Sequence, residues 1–134
     1  MKHRIVLIDD DHGPMAYFVA ALKMKDVEVQ QIDSVDEVFT WLDNLPAEKP
    51  QLFIVDMMMP PGTHFTLAET DDGLRTGVFV VRRLREVLAD VPILVLTNYN
   101  DDHLRKELPA DVGKVSKYQV SPFEFADQAM KHIG

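Results

Sequence analysis

The stretch Ile5–Gly13, IVLIDDDHG, runs four apolar residues straight into three aspartates. With Arg4 in front, RIVLI is a short, mostly β-branched run of the kind that forms a strand buried on both faces. A buried strand that ends on like charges needs a physical reason. Two carboxylates about 4 Å apart repel by roughly 4 kcal/mol at an effective dielectric of about 20, so converging acids call for protonation or a cation. At neutral pH a cation is the simpler answer. A carboxylate donor set with no cysteine and no histidine pair suits Mg2+, which takes oxygen ligands and keeps some of its waters. The plainer alternative is that Asp9, Asp10 and Asp11 form only a solvated turn and helix cap.

Outward from this stretch the chain alternates. PMAYFVAALKM (Pro14 to Met24) predicts a helix with Pro14 at its first position and Phe18, Ala21 and Leu22 on one face. VEVQQI (Val27 to Ile32) predicts a second strand. Ser34 and Glu37 form a capping box that starts a helix carrying Val38, Trp41, Leu42 and Leu45. QLFIVD (Gln51 to Asp56) is a third strand and again ends on aspartate. A long loop follows, rich in Pro, Gly and Thr, before the amphipathic helix VFVVRRLREVL (Val78 to Leu88). PILVLT (Pro92 to Thr97) is a fourth strand, Asn100 to Leu108 a polar helix, and GKVSK (Gly113 to Lys117) a fifth strand. In the last segment Ser121 caps, Pro122 takes the first position, Glu124 closes the box, and Phe125, Ala129 and Ile133 recur at helical spacing.

Composition sets the class. With 134 residues, 46% apolar and 27% charged, and no linker or repeat, the chain reads as one globular domain over 1–134. The absence of cysteine removes disulfides and thiolate metal sites. Fourteen basic against 22 acidic residues give a net charge of −8, which argues against nucleic acid as a partner. Arg82, Arg83 and Arg85 read as a solvated helix face and not as a basic patch. The apolar run at the N-terminus is too short for a signal peptide or a membrane span, so the expected location is the cytoplasm, with no membrane partner.

Strands alternating with helices imply right-handed crossovers and a parallel sheet covered on both sides. The expected fold is α/β: a doubly wound, flavodoxin-like (βα)5 sandwich whose five-stranded parallel sheet has the order 2-1-3-4-5. Ligands of such sheets bind at the carboxyl ends of the strands. Here those ends are Asp9, Asp10 and Asp11, then Asp56, Thr97 and Lys117, and the first and third strands are neighbours, so the acids should meet.

At these residues the chain resembles the receiver domains of two-component response regulators, and the resemblance spans its whole length. VLIDDD resembles the family's acidic pair, LFIVDMMMPPG its phosphoacceptor motif, and PILVLT its fourth strand ending in the switch residue. The resemblance implies that Asp56 accepts a phosphoryl group from a histidine kinase, a phosphotransfer protein or a small donor such as acetyl phosphate. It implies that Asp10, Asp56 and the Met58 backbone carbonyl bind Mg2+, with Asp9 acting mainly through water. Thr97 and Lys117 would contact the phosphoryl oxygens, and the changed surface would lie on the last two helices, for a downstream protein or an output domain beyond this chain. Such a domain is a switch and not an enzyme, apart from assisting its own phosphorylation and dephosphorylation. Kinase specificity is expected at surface residues of the first helix such as Met15 and Val19.

The chain departs from the family in several places. The family's lysine usually precedes proline, whereas Tyr118 follows Lys117 and Pro122 comes later. Two registers are open. Lys117 fills the lysine position with Lys114 where the switch aromatic usually sits, or Ser121 replaces the lysine and Tyr118 is the aromatic. The first is preferred, because the Ser121 box then puts the last helix where the family has it. Asn98 is bulkier than the small residue usual after the switch residue, and Met58 is apolar where relatives carry groups that position water, which predicts a long-lived phosphoryl state. The loop from Pro60 to Gly77 is about ten residues longer than usual; Thr63, His64, Phe65, Glu69 and Thr70 in it would cover the site or bind a partner, unless it is a mobile surface insertion. Two rival functions remain: a receiver-like adaptor that signals without phosphorylation, and a haloacid dehalogenase-type phosphatase using Asp9 and Asp11.

Overall fold

The computed structural model describes residues 2–97, 106–117 and 119–133. Five strands, β1 (Arg4–Ile8), β2 (Glu28–Ile32), β3 (Leu52–Asp56), β4 (Ile93–Thr97) and β5 (Gly113–Ser116), form one parallel sheet of order β2-β1-β3-β4-β5. The described helices are α1 (His12–Lys23), α2 (Val35–Asp43), α3 (Thr76–Val87) and α4 (Pro122–Ile133). This is the expected doubly wound, flavodoxin-like arrangement.

Successive strand residues point to opposite faces, so continuous apolar runs fill two cores at once. Val6, Ile8, Phe53 and Val55 pack on the side of α2 and α3, with Val38, Val81 and Leu84. Ile5, Leu7, Ile54 and Leu96 pack on the other, with Met15, Leu22, Phe125 and Ala129. The central strands β3 and β4 are buried throughout, while β2 at the edge exposes most of its residues. At a strand edge, polar residues such as Gln30 and Gln31 discourage pairing with another chain.

The helix starts follow their caps. The Ser34 Oγ accepts from the Glu37 amide at 3.2 Å, but the Glu37 carboxylate reaches back one residue further than the standard box, to the Asp33 amide at 3.2 Å. Ser121 Oγ accepts from the Glu124 amide at 3.1 Å and starts α4 as expected. The first helix differs from expectation: α1 begins at His12, which puts Pro14 inside the first turn and not at its first position. Met15 and Val19 are a correction as well, for both are buried in the core and offer no surface to a kinase. They continue the stripe that ends at Leu22, and the exposed large apolar residues of this region are Tyr17 and Met24. Leu45 lies beyond the end of α2 and is exposed. Trp41 sets its ring edge-on to Phe53, with centroids 5.6 Å apart.

The segment from Pro60 to Arg75 is a built insertion. Thr66 and Glu69 form a reciprocal box, with amide-to-side-chain distances of 2.7 and 3.1 Å. The buried Thr70 hydroxyl donates to the Thr66 carbonyl at 2.8 Å and accepts from the Gly73 amide at 3.2 Å. Asp36, in the first turn of α2, receives the Thr63 amide at 2.9 Å, the Thr63 hydroxyl at 3.0 Å and His64 Nδ1 at 3.1 Å. His64 also stacks on Phe39, with centroids 3.7 Å apart, and Phe65 packs between Phe39 and Phe79. Thr63, His64 and Phe65 are thus committed to holding the insertion on α2 and α3, and Glu69 and Thr70 to folding it on itself. The three arginines of α3 are committed too: Arg82 and Arg83 sit over Phe79 and Phe39, and Arg85 pairs with Asp111.

The His12 side chain, Asn98, Tyr118 and residues 100–105 of the expected polar helix lie outside the described residues. Among the described residues no helix is long and apolar enough to cross a membrane.

Candidate functional site

The sheet register brings the acids together. Ile8 pairs with Val55 and Asp56 with Leu96, so the residue after β1 lies beside the last residue of β3. Hydrogen bonds just beyond the ladder hold these ends: the Asp9 amide donates to the Ile32 carbonyl at 3.1 Å and the Met57 amide to the Leu96 carbonyl at 3.0 Å. On the other flank Thr97 pairs with Ser116, and the Lys117 amide donates to the Thr97 carbonyl at 2.8 Å. Gly77 lets α3 begin against this end of β3, since a Cβ there would lie 2.7 Å from both the Asp56 carbonyl oxygen and the Met57 Cα.

Asp9 and Asp56 are buried and Asp10 is exposed, and one carboxylate oxygen from each lies within 4.8 Å of the others. Lys117 stretches across to them, its Nζ 3.1 Å from Asp56 Oδ2 and 3.6 Å from Asp9 Oδ2. It is their one cationic contact among the described residues. The Asp11 amide donates to Asp9 Oδ1 at 2.6 Å, and the Met58 amide approaches Asp56 Oδ1 at 3.4 Å. Asp9 Oδ2 is left buried without a hydrogen-bond partner. These groups open into a cleft of about 530 Å3 lined by Asp10, Asp11, Met15, Phe18, Asp56 and Lys117 among others.

Crowding shows in the acidities. Burial pushes the Asp56 carboxyl up to about 6 from 3.8, with the neighbouring Asp9 adding to the rise and Lys117 opposing it. Burial also raises Asp9, against the Asp11 amide and Lys117. For Lys117, burial favours the neutral amine, but the two facing carboxylates outweigh it and hold the ammonium above its usual range. The site is therefore short of positive charge. An all-oxygen donor set with an orphaned buried carboxylate oxygen fits a hard divalent cation such as Mg2+.

Of the residues picked out by sequence, the structure brings Asp9, Asp10, Asp56 and Lys117 into one cluster and sets Thr97, buried, on the adjacent strand end. Ser121 is occupied as the cap of α4, so Lys117 is the side chain that reaches the acids. Lys114 sits in β5 opposite Val95 and is partly buried. Sequence inspection missed Asp36 and Thr76 and took Thr70 for a residue that covers the site or binds a partner; Thr70 is buried, and the three fix the insertion next to the site. The Thr76 hydroxyl donates to the Met59 carbonyl at 2.6 Å. The Thr66 to Glu69 spacing was the visible signal for that structure.

Comparisons with known proteins agree with this geometry. The chain superposes on a response regulator from Thermotoga maritima with TM-score 0.69 and 20% identity, covering 99% of this chain and 98% of that one. A response regulator receiver protein from Burkholderia phymatum gives TM-score 0.72 and 22% identity, over 99% and 96% of the two chains. A CheY-like receiver domain protein from Methanospirillum hungatei gives TM-score 0.73 and 15% identity, over 99% and 94%. A comparison with curated proteins gave no match. Residues 5–115 match the model of the response regulator receiver domain, and the chain belongs to that family.

Proposed function

We propose that this domain, read as one receiver over residues 1–134, accepts a phosphoryl group on Asp56 and uses it to switch a surface for a partner. The observation that carries this reading is the cluster itself: three carboxylate oxygens within 4.8 Å and an ammonium 3.1 Å from Asp56. Asp10, Asp56 and the Met58 carbonyl would hold Mg2+, with Asp9 acting through water. When bound, the ion supplies positive charge that offsets the negative charge developing on the transferring oxygens.

The chain's own groups do the rest. The Asp56 carboxylate attacks phosphorus, an oxygen–phosphorus bond forms, and the donor's bond to phosphorus breaks so that imidazole or acetate leaves. Lys117, already beside Asp56 Oδ2, follows the negative charge onto a phosphoryl oxygen. The Thr97 hydroxyl takes up a second phosphoryl oxygen and so changes the surface on this side of the sheet, α4 included. Met58 lines the cleft with an apolar side chain that does not orient water for hydrolysis, so the phosphoryl group is long-lived. The donor is a cytoplasmic histidine kinase or phosphotransfer protein, and the reader of the switched face is a downstream protein or an output domain.

Intact mass after incubation with acetyl phosphate tests this. The expected result is one added phosphoryl group in wild type with Mg2+, and none without Mg2+ or in Asp56→Asn. No addition to wild type, from acetyl phosphate or from a panel of purified histidine kinases, would leave the phosphorylation-independent adaptor as the better reading.

A further inference from the structure

A second cleft, of about 390 Å3, opens beside the acidic one, and Asp10 and Met58 line both. Its far wall comes from the insertion, where Pro60, Leu67 and Leu74 face Asp72. Leu67 is 58% exposed and Leu74 37%. Single exposed leucines are ordinary, but these two stand on a fixed scaffold. The Asp72 amide donates to the Leu67 carbonyl at 2.8 Å, and the Met59 amide to the Gly73 carbonyl at 3.2 Å.

The scaffold is also strained. Asp71, Asp72 and Gly73 are consecutive left-handed residues, with φ of 53°, 56° and 90°. Only glycine suits the third position, where a Cβ would lie 2.9 Å from the Met59 carbonyl oxygen. Left-handed aspartates are each disfavoured by about 1–2 kcal/mol, so the buried Thr70 network must hold them in place. The charge of this second cleft is one-sided: Asp10 and Asp72 line the groove, exposed Asp71 adjoins it, and none of the three has a cationic partner among the described residues.

We propose that this groove docks a partner protein through a basic segment that carries an aliphatic side chain. The aliphatic group seats against Leu67, Leu74 and Pro60, and flanking Lys or Arg residues pair with Asp71 and Asp72. Charge complementarity selects the occupant, because an acidic segment would meet Asp72 in the groove and the exposed Asp71 beside it, on a chain of net charge −8. A partner seated here lies at the mouth of the acidic cleft, since the two clefts share a wall. Docking here is read in the unphosphorylated chain, because Asp10 and Met58 belong to both clefts.

The test is an NMR titration of the 15N-labelled full chain with two synthetic helical peptides of equal leucine content, one flanked by lysines and one by glutamates. The lysine peptide is expected to give saturable shifts centred on the Leu67, Gly73 and Leu74 amides, and the glutamate peptide none. Leu67→Ser with Leu74→Ser should weaken lysine-peptide binding about tenfold or more. Asp71→Asn with Asp72→Asn should weaken it less and flatten its salt dependence. Both leucines are exposed, and unchanged acetyl phosphate labelling of the serine variant separates this site from Asp56 chemistry. Shifts scattered over the acidic surface, equal affinity in the serine variant, or no saturable binding would overturn the proposal.

Discussion

The acidic cleft and the insertion beside it treat polar groups in opposite ways. In the insertion nearly every buried polar atom is answered: Thr70 bonds to Thr66 and Gly73, and Thr76 to Met59. In the cleft, Asp9 Oδ2 has no hydrogen-bond partner, and two buried carboxylates share one ammonium. Satisfied polar groups fix a shape, whereas unsatisfied ones store a demand for a ligand. The contrast separates the part of the chain that calls for a ligand from the part that frames it.

Four substitutions break or sharpen this contrast. The largest effect is at Asp56, whose carboxyl rises from 3.8 to about 6. A carboxyl that binds its proton more tightly in the fold contributes stability that is full below 3.8 and lost as pH rises through about 6. Above that pH its ionised form weighs against the fold by at most about 3 kcal/mol. Asp56→Asn should therefore raise the thermal midpoint at alkaline pH, with the gain vanishing in acid; calorimetry against pH checks it. Next, Gly77→Ala forces a methyl to within 2.7 Å of two backbone atoms at the end of β3. A loss of about 1–3 kcal/mol in urea unfolding is expected, with weaker labelling of Asp56 because the strand end moves.

The insertion responds in the other sense. Thr70→Val keeps the shape but strands the Gly73 amide, while the Thr66 carbonyl keeps the Thr70 amide at 3.2 Å, which predicts a loss of about 1–2 kcal/mol in the same unfolding assay. The smallest effect is Asp36→Ala, which removes the acceptor for Thr63 and His64. Faster amide exchange confined to residues 63–66, with the thermal midpoint nearly unchanged, is the expected outcome. If Asp36→Ala instead altered exchange at Asp9 and Asp56, the two regions would be one cooperative unit.

The strands were legible because RIVLI, LFIVD and PILVLT are continuous apolar runs, which only a sheet covered on both faces demands. The site was legible for the same reason, since parallel strands must put Asp9, Asp56 and Lys117 at one edge. Met15 and Val19 were misplaced because the kinase-facing surface expected from the resemblance was put on them, against their spacing from Leu22. With Leu22 they keep helical spacing, and α1 packs against both the sheet and α4, which buries a wider face than one stripe. The order of the insertion was not legible, since its anchor at Asp36 lies 27 residues from Thr63 and no local pattern announces that contact. Thr66 and Glu69 at capping-box spacing and Asp72 before Gly73 were the local signals available, and both were passed over.

Whether Asp56 is the acceptor is decided by labelling the protein with acetyl phosphate and Mg2+, reducing any acyl phosphate with borohydride, and mapping the modified peptide. Conversion of Asp56 to homoserine, and of no other acid, is the predicted result. Homoserine at Asp9, Asp10 or Asp11 instead, or label that survives reduction, would contradict the assignment of Asp56 as the acceptor.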